Sequence, residues 1–133
     1  MILLDSCIIF DHTRGRDPRL AGWFKTHPVA VCGVVRAEVL HGARTPGDRA
    51  KILAMLNLFV QMPIPDSLWD IVGDHWAILR SHGVTVPFAD AVLATLAITM
   101  SSELWTRDSH FTLMQIHLPS LKLFQEPTPR PAT

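Results

Sequence analysis

One hundred and thirty-three residues suffice for one domain with one core, and a composition 48% hydrophobic and only 18% charged excludes a disordered chain. Twelve lysines and arginines cancel twelve aspartates and glutamates, so net charge does not mark a general polyanion binder. Uncharged stretches such as residues 52–65 and 91–102 are too short to cross a bilayer, which takes about 20 residues.

Met1 to Leu4 is an apolar run that reads as a short buried strand ending at Asp5. No basic segment precedes it, so it is not expected to be a secretory signal. Asp17-Pro18 caps a helix carrying Leu20, Trp23 and Phe24. Val29 to Cys32 is a second buried strand, and a helix from about Val34 to Ala43 puts Val35, Val39 and Leu40 on one face. Thr45-Pro46 repeats the cap signal before a helix through Phe59. Met62 to Ile64 reads as a short strand, and Asp66 caps a helix that runs through Leu79 and stops near Gly83.

Pro87 opens a helix through Ala91, Leu93, Ala94, Ala97 and Ile98 that is apolar nearly all round and therefore belongs inside the protein. Glu103 to Thr106 and Leu121 to Phe124 complete the strands. Short apolar strands alternating with helices specify a helix-rich α/β fold with a parallel sheet covered on both faces. Residues 1–125 form a single domain in this reading. The tail from Glu126 to Thr133, with three prolines and no large apolar side chain, is expected to be extended or disordered. Cys7 and Cys32 lie in apolar stretches without a C-x-x-C pair and read as small buried thiols of a reducing, cytoplasmic compartment.

Ligands of such sheets bind at the carboxyl ends of the strands, so acids there matter most. Asp5 follows the first strand directly, and Asp108 follows Leu104-Trp105-Thr106 by two residues. Asp90 sits in the first turn of the apolar helix, and Glu38 lies among residues that should pack. Each has a local use as well: a cap at Ser6 for Asp5, a helix-dipole contact for Asp90, an ion pair with Arg36 or Arg44 for Glu38, and a cap over Ser109 to Met114 for Asp108. If the four converge, two carboxylates about 4 Å apart repel by roughly 4 kcal/mol at an effective dielectric near 20. A hard divalent cation relieves that repulsion, and oxygen-only ligands favour Mg²⁺ or Mn²⁺ over zinc. Between His12 and Lys51, eight basic residues face three acids, and Arg14 and Arg16 in that stretch are candidates for holding a nucleic-acid backbone.

Four segments, taken in order, resemble PIN-domain ribonucleases, above all the VapC-like toxins of bacterial toxin–antitoxin pairs. They are Leu3-Leu4-Asp5-Ser6, Ala37-Glu38-Val39-Leu40-His41-Gly42-Ala43, Val86-Pro87-Phe88-Ala89-Asp90-Ala91-Val92-Leu93-Ala94-Thr95 and Leu104-Trp105-Thr106-Arg107-Asp108-Ser109-His110-Phe111. The likeness runs from Met1 to about Phe124. It implies a three-layer α/β/α sandwich and Mg²⁺-dependent cleavage of RNA, with Mn²⁺ as a substitute ion. Asp5 and Asp90 would then be the principal metal ligands. Glu38 and Asp108 would hold a second ion or orient water, with Ser6, Thr106 and Ser109 as hydrogen-bonding neighbours. It also implies a homodimer, silenced by a small antitoxin whose C-terminal segment lies across the acidic groove.

Other chemistries fit less well. A phosphotransferase of the haloacid-dehalogenase type needs an acid where Cys7 stands. Glu38-x-x-His41 is a single helical pair without H-E-x-x-H, so a zinc or di-iron centre is not indicated, and His110 stands apart from the other histidines only because it adjoins Asp108. No G-x-S-x-G marks a serine nucleophile. A stand-alone RNA-processing nuclease of the same type, or a non-catalytic module that merely docks a partner, remains open at this stage.

Overall fold

The structure is a computed structural model that describes residues 1–127. Four parallel strands form the sheet: β1 (Ile2–Leu4), β2 (Val29–Val31), β3 (Val60–Gln61) and β4 (Glu103–Trp105), in the order β3-β2-β1-β4. β1 pairs with β2 through Ile2 opposite Val29, and with β4 through Leu4 opposite Trp105. Both central strands are buried along their whole length, as the unbroken apolar runs require. Helices α1 (Ser6–Thr13), α2 (Arg19–Thr26), α3 (Gly33–His41), α4 (Pro46–Leu56), α5 (Leu68–Ser81), α6 (Phe88–Thr99) and α7 (His110–His117) cover the two faces, giving a three-layer α/β/α sandwich.

The interior is built around α6. Ala91 to Ala97 are seven consecutive buried residues, as expected of a helix without a polar face. Its one buried hydroxyl, Thr95 Oγ1, donates to the Ala91 carbonyl at 2.7 Å and lies 3.0 Å from His75 Nδ1. At the other side of the sheet the fully buried Trp105 packs against Phe24 and Phe124, with ring centroids 5.6 and 4.5 Å away.

Two expected strands differ from the sequence reading, and one helix has no counterpart in it. The run Ser6 to Thr13 is a helix, because Asp5 accepts the Ser6 N–H and starts it at once; its β-branched Ile8-Ile9 hides the helical period. The strand expected at Met62–Ile64 lies two residues earlier. Pro63 has no N–H to donate, so the ladder ends where the Met62 N–H reaches the Val31 carbonyl at 2.8 Å. Leu121 to Phe124 is no full strand: it makes a single bridge, Leu123 opposite Leu104, on the outer edge of β4.

Glu126, expected to begin an extended tail, is instead held by the fold, accepting from the Trp105 indole N–H at 3.1 Å and from Arg107 Nε at 2.6 Å. The rest of that expectation, residues 128–133, lies outside the described residues. No helix among the described residues is long and apolar enough to cross a membrane.

Arg107 ties the C-terminal segment to the start of the chain. Its Nη1 donates to Asp11 at 2.9 Å and its Nη2 to Asp17 at 2.6 Å, while Glu126 takes Nε. Asp17 is also gripped by Arg19, and together the two guanidiniums hold its carboxyl well below the usual carboxylate range. Replacing Arg107 by Ala frees three acids at once, but Arg19 still pairs Asp17. The expected cost is roughly 1–2 kcal/mol, read as a lower denaturant midpoint. An unchanged midpoint would show the network to be ornamental.

Candidate functional site

β1 leads through α1 and α2 toward β2 on one side, whereas β4 lies on the opposite side of β1. The chain therefore leaves the carboxyl ends of these two neighbours in different directions and opens a crevice there. Asp5 ends β1 and Thr106 to Asp108 follow β4, so the parallel register alone brings them to one place. The Asp5 N–H confirms the match by donating to the Trp105 carbonyl at 2.9 Å.

Asp5 is buried, and its carboxylate is fixed by local donors. Oδ1 accepts the Ser6 N–H at 2.7 Å, while Oδ2 accepts the Thr106 hydroxyl at 2.7 Å and the Cys7 thiol at 3.4 Å. Thr106 Oγ1 in turn accepts the Asp108 N–H at 3.0 Å, linking the two strand ends through one hydroxyl. Asp108 Oδ1 accepts the His110 N–H at 2.9 Å and lies 3.2 Å from His110 Nδ1. Burial and the Asp5 charge push the Cys7 thiol up to about 11, so it remains a protonated donor at neutral pH.

Asp90 has the opposite environment. Its place in the first turn of α6 aims it into the crevice, but its carboxylate accepts no hydrogen bond among the described residues. Partial burial, then Asp5, then Asp108 push it up to about 6, with His110 acting the other way. Glu38, on α3, is raised by burial and then by Asp5 and Asp90. The alternative for Glu38, an ion pair with Arg36 or Arg44, does not form among the described residues; Arg36 donates instead to Asn57 at 2.8 Å. Asp90 thus feels Asp5 and Asp108, and Glu38 feels Asp5 and Asp90.

The neighbours are placed less uniformly. Thr106 bonds directly to Asp5, whereas Ser6 contributes its backbone N–H. Ser109 precedes α7 without a side-chain cap bond. Arg14 and Arg16 are not at the acids. Nine residues beyond Asp5 along and past α1, about 13 Å at helical rise, Arg14 lies over the Phe10 ring at 4.4 Å, and Arg16 lies 3.6 Å from Asp11. Arg14 there lines a cleft of about 490 Å³ with Lys51 and Met55.

His110 was outside the set of candidate residues, yet Asp90, Asp108 and His110 each present a ligand atom within 4.8 Å of the others. The signal was its position two residues after Asp108, at the start of a helix. Two carboxylates and one imidazole thus lie close enough to fit one divalent cation, with Asp5 and Glu38 acting from nearby. The raised protonation of Asp90 and Glu38 reflects burial first and mutual repulsion second.

The chain belongs to the PIN domain family, whose model matches residues 2–115. No curated protein matches it. Its fold is similar to that of VapBC2 from Rickettsia felis bound to a DNA fragment from their promoter, at 19% identity and a TM-score of 0.80, covering 93% of this chain and 98% of the other. FitAcB from Neisseria gonorrhoeae is similar over 94% of this chain and 97% of its own, at 20% identity and a TM-score of 0.75. A toxin–antitoxin complex from Klebsiella pneumoniae aligns over 91% and 95%, at 20% identity and a TM-score of 0.68.

Asp90 gives the metal-free protein a definite pH dependence. Its proton is bound more tightly folded than unfolded, so its contribution to stability is lost as pH rises from the ordinary carboxylate range through about 6. A cation that binds the ionised site should therefore raise the melting temperature at about pH 7.5 and do little at about pH 5. Thermal scans with and without millimolar Mg²⁺ at both pH values test this, and an equal shift at both would sever the link to Asp90.

Proposed function

We propose that this PIN-domain protein is a metal-dependent endoribonuclease acting as the toxin of a toxin–antitoxin pair. The observation that carries the reading is the half-buried Asp90, without a protein donor and pushed up to about 6 beside Asp5 and Asp108. A carboxylate so placed is costly unless its purpose is to meet a cation. Asp5 and Asp90 hold Mg²⁺, or Mn²⁺ in its stead, and Glu38 and Asp108 complete the acidic pocket by holding a second ion or positioning water. When bound, the ion supplies Lewis acidity, water activation and a bridge to the scissile phosphodiester.

The chain's own contribution is orientation. Thr106, Cys7 and the Ser6 N–H lock the Asp5 carboxylate into one rotamer, and Thr106 also fixes the Asp108 backbone. RNA enters past the cleft at the end of α1, where Arg14 and Lys51 meet its phosphates. Similarity to a toxin–antitoxin complex supports an antitoxin partner; a homodimer in the cytoplasm is part of the same proposal. Two free cysteines are in keeping with that compartment.

Asp90→Asn is the decisive variant. It removes a charge the metal-free fold carries at a cost, so the melting temperature at about pH 7.5 should rise or hold. Cleavage of RNA with Mg²⁺ should fall by at least about 10²-fold, the scale of losing one charge-stabilising group. Undiminished cleavage would place water activation elsewhere and leave a docking module or another site as the reading. Replacing Arg14 and Arg16 together should weaken RNA binding and flatten its salt dependence by up to about 1.4 in the log–log slope, since each phosphate contact to a single strand contributes about 0.7. Arg16 is partly neutralised by Asp11, so an effect carried by Arg14 alone, about half that slope, is the lower bound; no change would remove both from the RNA path.

A further inference from the structure

Besides the acids and the Cys7 thiol on Asp5, the described residues of the crevice include one imidazole. His110 opens α7, and its backbone N–H and Nδ1 both address Asp108 Oδ1, at 2.9 and 3.2 Å. Asp108 is itself anchored through Thr106 to Asp5. The imidazole is therefore tethered by its backbone, while its ring remains 64% exposed and free to turn.

Charge in the crevice is one-sided. Asp5 from β1, Glu38 from α3, Asp90 from α6 and Asp108 after β4 face it. The adjacent Arg107 does not neutralise them, because its guanidinium is taken by Asp11, Asp17 and Glu126. Among the described residues, His110 is the only basic side chain paired with any of the four acids. A protonated imidazole would offset one carboxylate and leave three. A cation ligated by a neutral imidazole offsets two charges and uses the nitrogen as a donor.

We infer that Asp90, Asp108 and His110 form a mixed oxygen–nitrogen cation position that takes Mn²⁺, or a neighbouring first-row ion, in preference to Mg²⁺. The inference rests on the cation-dependent part of the proposed function and gives that site its metal preference. Ligands on opposite sides of one ion, with bonds of about 2.1 Å, stand about 4.2 Å apart, so the observed spread within 4.8 Å closes with a small turn of the exposed ring. Imidazole raises affinity along the first transition row, whereas Mg²⁺ prefers oxygen and water.

The test uses the full chain with Mn²⁺ as the probe, without RNA. Pulsed electron paramagnetic resonance should show nitrogen coupling to bound Mn²⁺ in the wild type and in His41→Ala, and none in His110→Ala. His110→Ala should also weaken Mn²⁺ binding by at least about tenfold, while Mg²⁺ affinity, measured by competition, changes less than about threefold. His110 is exposed, so an unchanged circular dichroism spectrum is expected and certifies the comparison; should Ala unfold the helix start, His110→Asn replaces it. Bound Mn²⁺ with no nitrogen coupling overturns the inference and makes His110 only the ion-pair partner of Asp108, leaving the nuclease reading intact. Nitrogen coupling in a protein that leaves RNA whole upholds the cation position and overturns the nuclease reading. No binding of Mn²⁺ at all overturns both.

Discussion

Repulsion among carboxylates at the ends of two neighbouring strands is the constraint around which the molecule is arranged. Each pair about 4 Å apart carries on the order of 1 to 4 kcal/mol of unfavourable energy, depending on how much water reaches it. Three donors on Asp5 and the His110 contact with Asp108 offset this only in part: burial first and then the neighbouring acids make Asp90 and Glu38 hold protons more tightly than free carboxylates do. What keeps the groups together is the apolar frame beneath. The register of Leu4 opposite Trp105 and the seven buried residues of α6 fix where Asp5, Asp108 and Asp90 must stand. Burial at roughly 25 cal/mol per Å² of apolar surface outweighs the electrostatic strain many times over. The site is strained because the core is not.

The two arginine-rich regions divide labour around that strain. Arg107 is adjacent in sequence to Asp108 and would be the natural counter-ion. It turns away and joins Asp11, Asp17 and Glu126, where it stabilises the closure of the chain. The segregation leaves the crevice negative and keeps its neutralisation available to a ligand. The cleft at the end of α1, lined by Arg14, Lys51 and Asp48, includes none of the four acids.

Much of this was legible in the residues. The unbroken apolar runs at Ile2–Leu4 and Val29–Val31 and the all-round apolar helix after Pro87 have no stable reading other than burial, and their strand-end acids follow from chain order. The misses have physical causes. The helix after Asp5 is short and begins with residues that favour strands, so only its cap, a tertiary matter as well as a local one, decides it. Pairing at Val60–Gln61 rather than Met62–Ile64 depends on which N–H faces Val31, which periodicity does not encode. Glu126 finds its place because Trp105 and Arg107 present donors from distant parts of the chain. His110 likewise gains significance only when α6 brings Asp90 beside it.

Asp5 and Asp90 also show why a shared charge does not mean a shared task. Asp5 is held by an amide, a hydroxyl and a thiol, so its orientation is set before any ligand arrives. Asp90 has no such donors among the described residues and keeps its lone pairs for what enters the crevice. One carboxylate therefore supplies geometry and the other supplies driving force, a division that matches the need of a cation site for both a rigid ligand and an uncompensated charge. Thr106 links Asp5 instead to Asp108. By donating to Asp5 and accepting from the Asp108 N–H, it couples the end of β1 to the loop that carries Asp108 and His110. Asp5 and the Asp108 backbone are thereby held in fixed relation, while Asp90 and Glu38 are positioned separately by α6 and α3.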